Sequence, residues 1–208
     1  MNRQVKYRQF QSKDAKDLIE IILDTWGFDK GVTNPKQADH IGYAYLYLCM
    51  LQADFTQVAE VDGHAVGIIM GSTYGKGLRP WIALKCLYHN AALLFGGTYK
   101  KINSQFGNYE KNSDELDRMS GVTNGKFGAE VALFIVSKKF RGCGVGSALF
   151  ERLNEFFHKK GIQHYYVHTD SACSYEFYER KGMIRQAEVQ TDICYAGVGN
   201  IKMFVYGK

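Results

Sequence analysis

Two hydrophobic rhythms alternate along this chain. Residues Val5 to Phe10 read as a first strand, and Ser12 offers a cap to a helix over Lys13 to Trp26, where Ala15, Leu18, Ile19, Ile22 and Leu23 recur on one helical face. Gly27 can end that helix. Pro35, after Thr33-Asn34, opens a second helix, on which Ala38, Ile41, Tyr45, Leu48 and Cys49 make an apolar stripe. Phe55 to Val61 and His64 to Thr73 then read as antiparallel strands joined by Asp62-Gly63, a dipeptide that tolerates positive φ. His64, beside the turn, is expected in solvent.

Residues 75–128 make a long connection with glycine-rich ends, a helix expected from Pro80 to Phe95 and a polar stretch from Tyr99 to Asn124. Connections of that length are uncommon unless they serve as lids or binding loops, and the helix marks this one as an insertion. Asp114, Glu115, Asp117 and Arg118 read as a solvated helical face, one of whose acids could meet a cationic substrate. After the insertion, Glu130 to Val136 is almost continuously apolar, as a strand covered on both faces should be. Leu149 to Lys159 is helical, Gln163 to Thr169 is a strand, and Ser174 to Lys181 is a short helix ended by Gly182. Met183 to Thr191 and Ile201 to Tyr206 close the chain as strands. The fold class is therefore mixed α/β (α+β), with an antiparallel start, a helical insertion between strands three and four, and a βαβ unit in the second half.

With 208 residues the chain suits one domain over 1–208 better than two cores. Its 46% hydrophobic and 23% charged residues, with two prolines, predict a chain folded throughout. A net charge of +5, scattered rather than striped, gives no support to nucleic-acid binding and suits a phosphate-bearing small molecule equally well. Cys49, Cys86, Cys143, Cys173 and Cys194 form no CxxC pair and read as free thiols. No apolar stretch follows Met1 to Lys6 as a signal peptide would need, and Ile41 to Leu51 is too short to span a bilayer, so a cytoplasmic protein off the membrane is expected. His158, His164 and His168 lack ligand-like pairing, which argues for structural or exposed histidines and no metal.

The chemistry concentrates in Arg141-Gly142-Cys143-Gly144-Val145-Gly146-Ser147, between a buried strand and a helix. Glycines let the backbone turn and approach a ligand, while the helix start aims unpaired amides and partial positive charge at it. Arg141 adds a cation, with Lys138 and Lys139 nearby, so the segment is an anion site. A glycine turn can also serve merely to join a strand to a helix, and its context decides. The spacing of Arg141, Gly144 and Gly146 resembles the acyl-coenzyme A signature of the GCN5-related N-acetyltransferase (GNAT) superfamily. Leu133-Phe134-Ile135-Val136 is similar to the strand before that signature, and Phe177-Tyr178-Glu179-Arg180-Lys181-Gly182-Met183 to a later helix motif of the family. The likeness is close over residues 130 to 183 and loose elsewhere.

The resemblance implies a central, mostly antiparallel sheet flanked by helices and a reaction with acetyl-CoA as co-substrate. Phe134, Ile135 and Val136 would lend backbone groups to the pantetheine arm, and the amides of Gly142, Cys143, Gly144, Val145, Gly146 and Ser147 would cradle the pyrophosphate beside Arg141. Tyr178 would protonate the departing thiolate. Glu130, at the start of the central strand, is the candidate base for the amine, against a purely structural or solvent-facing role. Ser171 and Ser174 stand where the family often has asparagine and alanine, and serine can still donate a hydrogen bond to the coenzyme. Direct attack needs no covalent enzyme intermediate, so Cys143 need not be a nucleophile.

Two other readings compete. A dinucleotide fold would use Gly142-x-Gly144 with Asp170, but the third glycine comes one position early and too little chain remains for further βαβ units. A non-catalytic acyl-CoA sensor would keep the fold without the chemistry, and Tyr178 speaks against it. No Gly-Lys-Ser/Thr ending supports a P-loop. The acceptor stays open among small amines, peptides, protein lysines and aminoglycosides. Its pocket is expected from the helix after Pro35 and from the insertion, whose Trp81, Tyr88, Phe95 and Tyr99 suit an apolar amine or plain packing. A homodimer through the last strands is one arrangement the sequence permits.

Overall fold

A computed structural model describes residues 4–30, 32–75, 79–97, 99–195 and 199–208. The strands are β1 (Lys6–Arg8), β2 (Phe55–Val61), β3 (His64–Ser72), β4 (Ala129–Val136), β5 (Tyr165–Asp170), β6 (Ile184–Tyr195) and β7 (Gly199–Gly207). They form one sheet in the order β1-β2-β3-β4-β5-β7-β6, in which β4 and β5 are parallel and the other neighbours antiparallel. This mixed, mostly antiparallel sheet is the expected class; a doubly wound parallel sheet, and with it the dinucleotide reading, is excluded. The β2–β3 hairpin turns at Asp62 and Gly63, with φ of 52° and 86°, where the left-handed conformation matches the twist of the strands it joins.

The helices are α1 (Ala15–Trp26), α2 (Pro35–Gln52), α3 (Pro80–Phe95), α4 (Tyr99–Ser120), α5 (Val145–Lys159) and α6 (Glu176–Arg180). Leu18 and Ile22 of α1 and Leu46 and Met50 of α2 pack with Ile68, Met70, Leu133 and Ile135 on one face of the sheet. Leu149, Phe150, Leu153 and Phe157 of α5 cover the other face, against Ala59, Ile69, Val131, Tyr165 and Val167. Leu116 of α4 joins Tyr166, Met203 and Val205. Since Tyr166 points opposite to Tyr165 and Val167, α4 lies on the side of α1 and α2.

Helix α4 replaces the polar stretch expected over Tyr99 to Asn124. Its buried stripe rests on few apolar residues, chiefly Tyr109 and Leu116, too sparse to stand out as a period. Strand β1 is shorter than expected, and both closing strands run longer. Among the described residues no helix is long and apolar enough to cross a membrane.

Candidate functional site

The site begins with a defect in β4. Gly71 pairs with Val131 and Met70 with Leu133, which leaves Ala132 as an extra residue, a β-bulge. The bulge reverses the strand's alternation. Ala129 and Val131 pack on the α5 face before it, whereas Phe134 and Val136 do so after it, and Leu133 and Ile135 turn to the α1 and α2 face. A bulge bends its strand, and the parallel pairing with β5 extends only through Ala129–Tyr165 and Glu130–Tyr166. Beyond that point the strands diverge around a cavity of about 1160 Å³, lined by Glu130 to Val136 on one side and Tyr166 to Asp170 on the other.

One wall presents backbone donors and positive charge. The chain leaves β4, turns through Gly142 and Gly144 at φ of 76° and 80°, and enters α5. The first bond into that helix runs from Ala148 N to Gly144 O at 3.0 Å, so the amides of Val145, Gly146 and Ser147 lack an acceptor one turn back. A β carbon at Gly142 or Gly144 would meet nothing within 4 Å, and the turn is open on that side. At Gly146 it would stand 3.4 Å from Phe134 Cζ, because the helix packs close on the strand. Arg141 Nε donates to Val136 O at 3.2 Å, which holds the guanidinium at the cavity wall. A pyrophosphate fits these donors and this charge.

A second wall carries ionisable groups. His168 of β5 has Nε2 2.9 Å from Asp117 Oδ1 of α4 and Nδ1 3.9 Å from Glu130 Oε1 of β4. The imidazole is thus flanked by two carboxylates from different elements. Burial would lower the imidazole pKa, but the two carboxylates outweigh it and raise it to about 9. Tyr74 Oη donates to Tyr166 Oη at 3.0 Å beside this cluster, and burial raises both phenols. The buried Ser113 Oγ also reaches the cavity and has no partner among the described residues. Trp26, Tyr45 and Phe106, from α1, α2 and α4, add an aromatic border, with Tyr45 and Phe106 stacked at 6.0 Å.

Tyr178 of α6 lies at the cavity, 7% exposed, among Phe134, Phe150, Phe177 and Tyr206. Burial, then the nearby Cys173 and Asp170, raise its phenol pKa, so it is protonated at neutral pH. Asp170 Oδ1 accepts from Ala172 N at 2.8 Å and Cys173 N at 3.1 Å, a turn that sets the start of the α6 segment.

Of the residues singled out in the sequence, Tyr178, Glu130, Phe134, Ile135, Val136, Arg141, Gly142, Gly144, Gly146, Ser147 and Ser174 line this one cavity. Ile135 buries its side chain in the core, so what it offers the cavity is backbone. Three others do not line it. Val145, the first residue of α5, buries its side chain in the core, Cys143 is exposed with Sγ directed at Arg141 O, and Ser171 Oγ accepts from Lys202 N of β7 at 3.0 Å. Of the two alternatives expected for the histidines, structural or exposed, His168 is buried and paired. No cluster of three or more potential metal ligands occurs among the described residues. The insertion reaches the cavity through α4, whereas Trp81, Tyr88 and Phe95 of α3 point to solvent. The side chains of Tyr99 and Cys194 lie outside those described.

Comparison with known proteins agrees with this fold. Residues 103–203 match the family model described as an acetyltransferase (GNAT) domain. No curated protein sequence matches the chain. Among solved structures, arylalkylamine N-acetyltransferase 2 from Aedes aegypti superposes with a TM-score of 0.58 at 16% identity, over 99% of this chain and 98% of that one. An N-acetyltransferase from Staphylococcus aureus Mu50 gives 0.57 at 15% identity, again over 99% and 98%. An agmatine N-acetyltransferase mutant gives 0.57 at 14% identity, over 98% and 99%. At such identities the likeness is one of fold. Residues 103–203 are thus similar to a GNAT acetyltransferase domain, and the chain as a whole shares its fold with the solved N-acetyltransferases.

Proposed function

We propose that this protein transfers an acetyl group from acetyl-CoA to a primary amine by direct attack. The observation that carries the reading is the shared cavity between β4 and β5, with an anion cradle on one wall, carboxylates on another and a buried neutral phenol at Tyr178. In this reading the amides at the start of α5 and Arg141 hold the pyrophosphate, and the pantetheine arm follows the backbone of β4 that β5 has left.

The acceptor enters as an ammonium, drawn by Glu130 and Asp117, whose two charges exceed the one positive charge of His168. His168 stays protonated at neutral pH and is therefore not the base; Glu130 takes the proton from the ammonium, directly or through water. The neutral amine attacks the thioester carbonyl, the C–N bond forms and the C–S bond breaks. Tyr178 gives its proton to the leaving thiolate, and solvent restores both groups. The aromatic border of Trp26, Tyr45 and Phe106 favours an amine with an apolar body. A reducing, cytoplasmic setting suits the free Cys49, Cys86, Cys143 and Cys173.

Titration calorimetry with acetyl-CoA, with NADH as comparator, tests the cradle. A panel of primary amines, with acetylated product detected by mass, tests the transfer. Micromolar acetyl-CoA binding that Arg141→Ala weakens, together with acetylated amine, is expected. Tight binding without product from any amine would point to a sensor, and no binding would sink the reading.

A further inference from the structure

Helix α3 is apolar on two opposite sides, the inward one burying Cys86 and Leu93 and packing Ile82 on the core. Its inward side carries His89, stacked on Tyr43 at 4.6 Å and 2.8 Å from His40, and Asn90, which bonds the Cys86 carbonyl at 2.8 Å. Its outward side carries Trp81, Leu84, Leu87, Tyr88, Leu94 and Phe95, exposed by 77, 56, 67, 62, 55 and 93%. At 100° per residue these six fall within about half the helix circumference, and Ala83 shares that half. Lys85, the one charged residue of α3, is turned back over the Tyr47 ring at 5.2 Å. A soluble surface seldom presents so many large apolar side chains in one stripe.

We infer that this face is covered by the same face of a second copy, α3 lying antiparallel on α3 about a two-fold axis between Leu87 and Tyr88. The residue types support that occupant. Reversing the helix about this axis sets Trp81 against Leu94 and Phe95 of the other copy, Leu84 against the small Ala91, and Leu87 against Tyr88, so large residues meet partners and a small one receives a large one. The six side chains offer on the order of 800 Å² per copy, the half-share of a standard interface. Aromatic residues without charge are the composition of an interface centre. A helix lying on a lipid surface would instead turn a strongly charged face outward, and α3 has none. The closing strands fit a dimer less well, because the outer strand β6 bears Arg185 and Glu188 in ion pairs at 2.7 Å that blunt edge pairing.

Sedimentation velocity of the full chain at micromolar concentration is the test. Wild type should run at twice the 23.6 kDa chain mass, and Leu87→Glu should weaken the association by about 100-fold or more, as two carboxylates meet at the axis. Circular dichroism and acetyl-CoA binding report whether that variant still folds. If it does not, Leu87→Cys in a Cys143→Ser background decides: a disulfide-linked dimer forms readily in this arrangement. A wild-type monomer, a dimer untouched by Leu87→Glu, or failure of Leu87→Cys to cross-link would each overturn the inference. A monomer that co-sediments with phosphatidylserine vesicles would assign the face to lipid instead.

Discussion

The protonation of His168 can be read out as stability. Its ordinary pKa of 6.5 rises to about 9 in the fold because Asp117 and Glu130 overcome the effect of burial. The side chain is 14% exposed, so solvent screens these charges little. The folded state therefore holds this proton more tightly than the unfolded chain, by about 3 kcal/mol. The sign follows from the raised pKa: the stabilisation is complete below 6.5, declines as pH rises, and is gone above about 9. Urea unfolding of wild type and His168→Gln across this range isolates the effect, since other titrations largely cancel in the difference. The wild-type advantage should fall by about 3 kcal/mol through the window, and Asp117→Asn should make the fall smaller and move it to lower pH. A difference that stays flat, or grows with pH, would refute a charged His168 held by two carboxylates.

Other expectations follow from the same coordinates. Tyr178→Phe should lower kcat about 100-fold or more while leaving acetyl-CoA affinity nearly unchanged, as measured by steady-state kinetics beside calorimetry. Glu130→Gln should cost most near neutral pH and progressively less at alkaline pH, where the amine loses its proton unaided; an equal loss at all pH values would deny it the role of base. Gly144→Val forces a β-branched side chain to φ of 80° and should weaken acetyl-CoA binding about 10-fold or more in calorimetry. Gly71→Ala would drive a methyl into Leu153 and Phe157 of α5, and denaturant melts should show a loss of about 1–3 kcal/mol.

The segment from Glu130 to Ser147 is legible in the sequence because a buried strand, a glycine turn and a helix each leave a strong local signal. What is hidden is hidden for physical reasons. The bulge at Ala132 lies in a run where both faces are buried, so a reversal of alternation exchanges one apolar residue for another and leaves no mark. Helix α4 escapes notice because several of its inward positions, Ser113 and Asp117 among them, face the cavity and are polar. His168 looks isolated between Val167 and Thr169, since its partners arrive from a distant helix and a neighbouring strand. The spacing of Arg141, Gly144 and Gly146 identifies a ligand turn, but Val145 and Cys143 show that membership of a motif does not aim a side chain at the cavity.

The extra residue in β4 also bears on how this chain can vary over generations. Ala132 is a small residue of the cavity lining, and its presence in the count is what makes the bulge and its bend. Removing that one codon would restore an unbroken alternation, leave Leu133 to Val136 on the faces they already occupy, and take away the bend that parts β4 from β5. A lineage that keeps the cavity must therefore keep the length of β4 at this point.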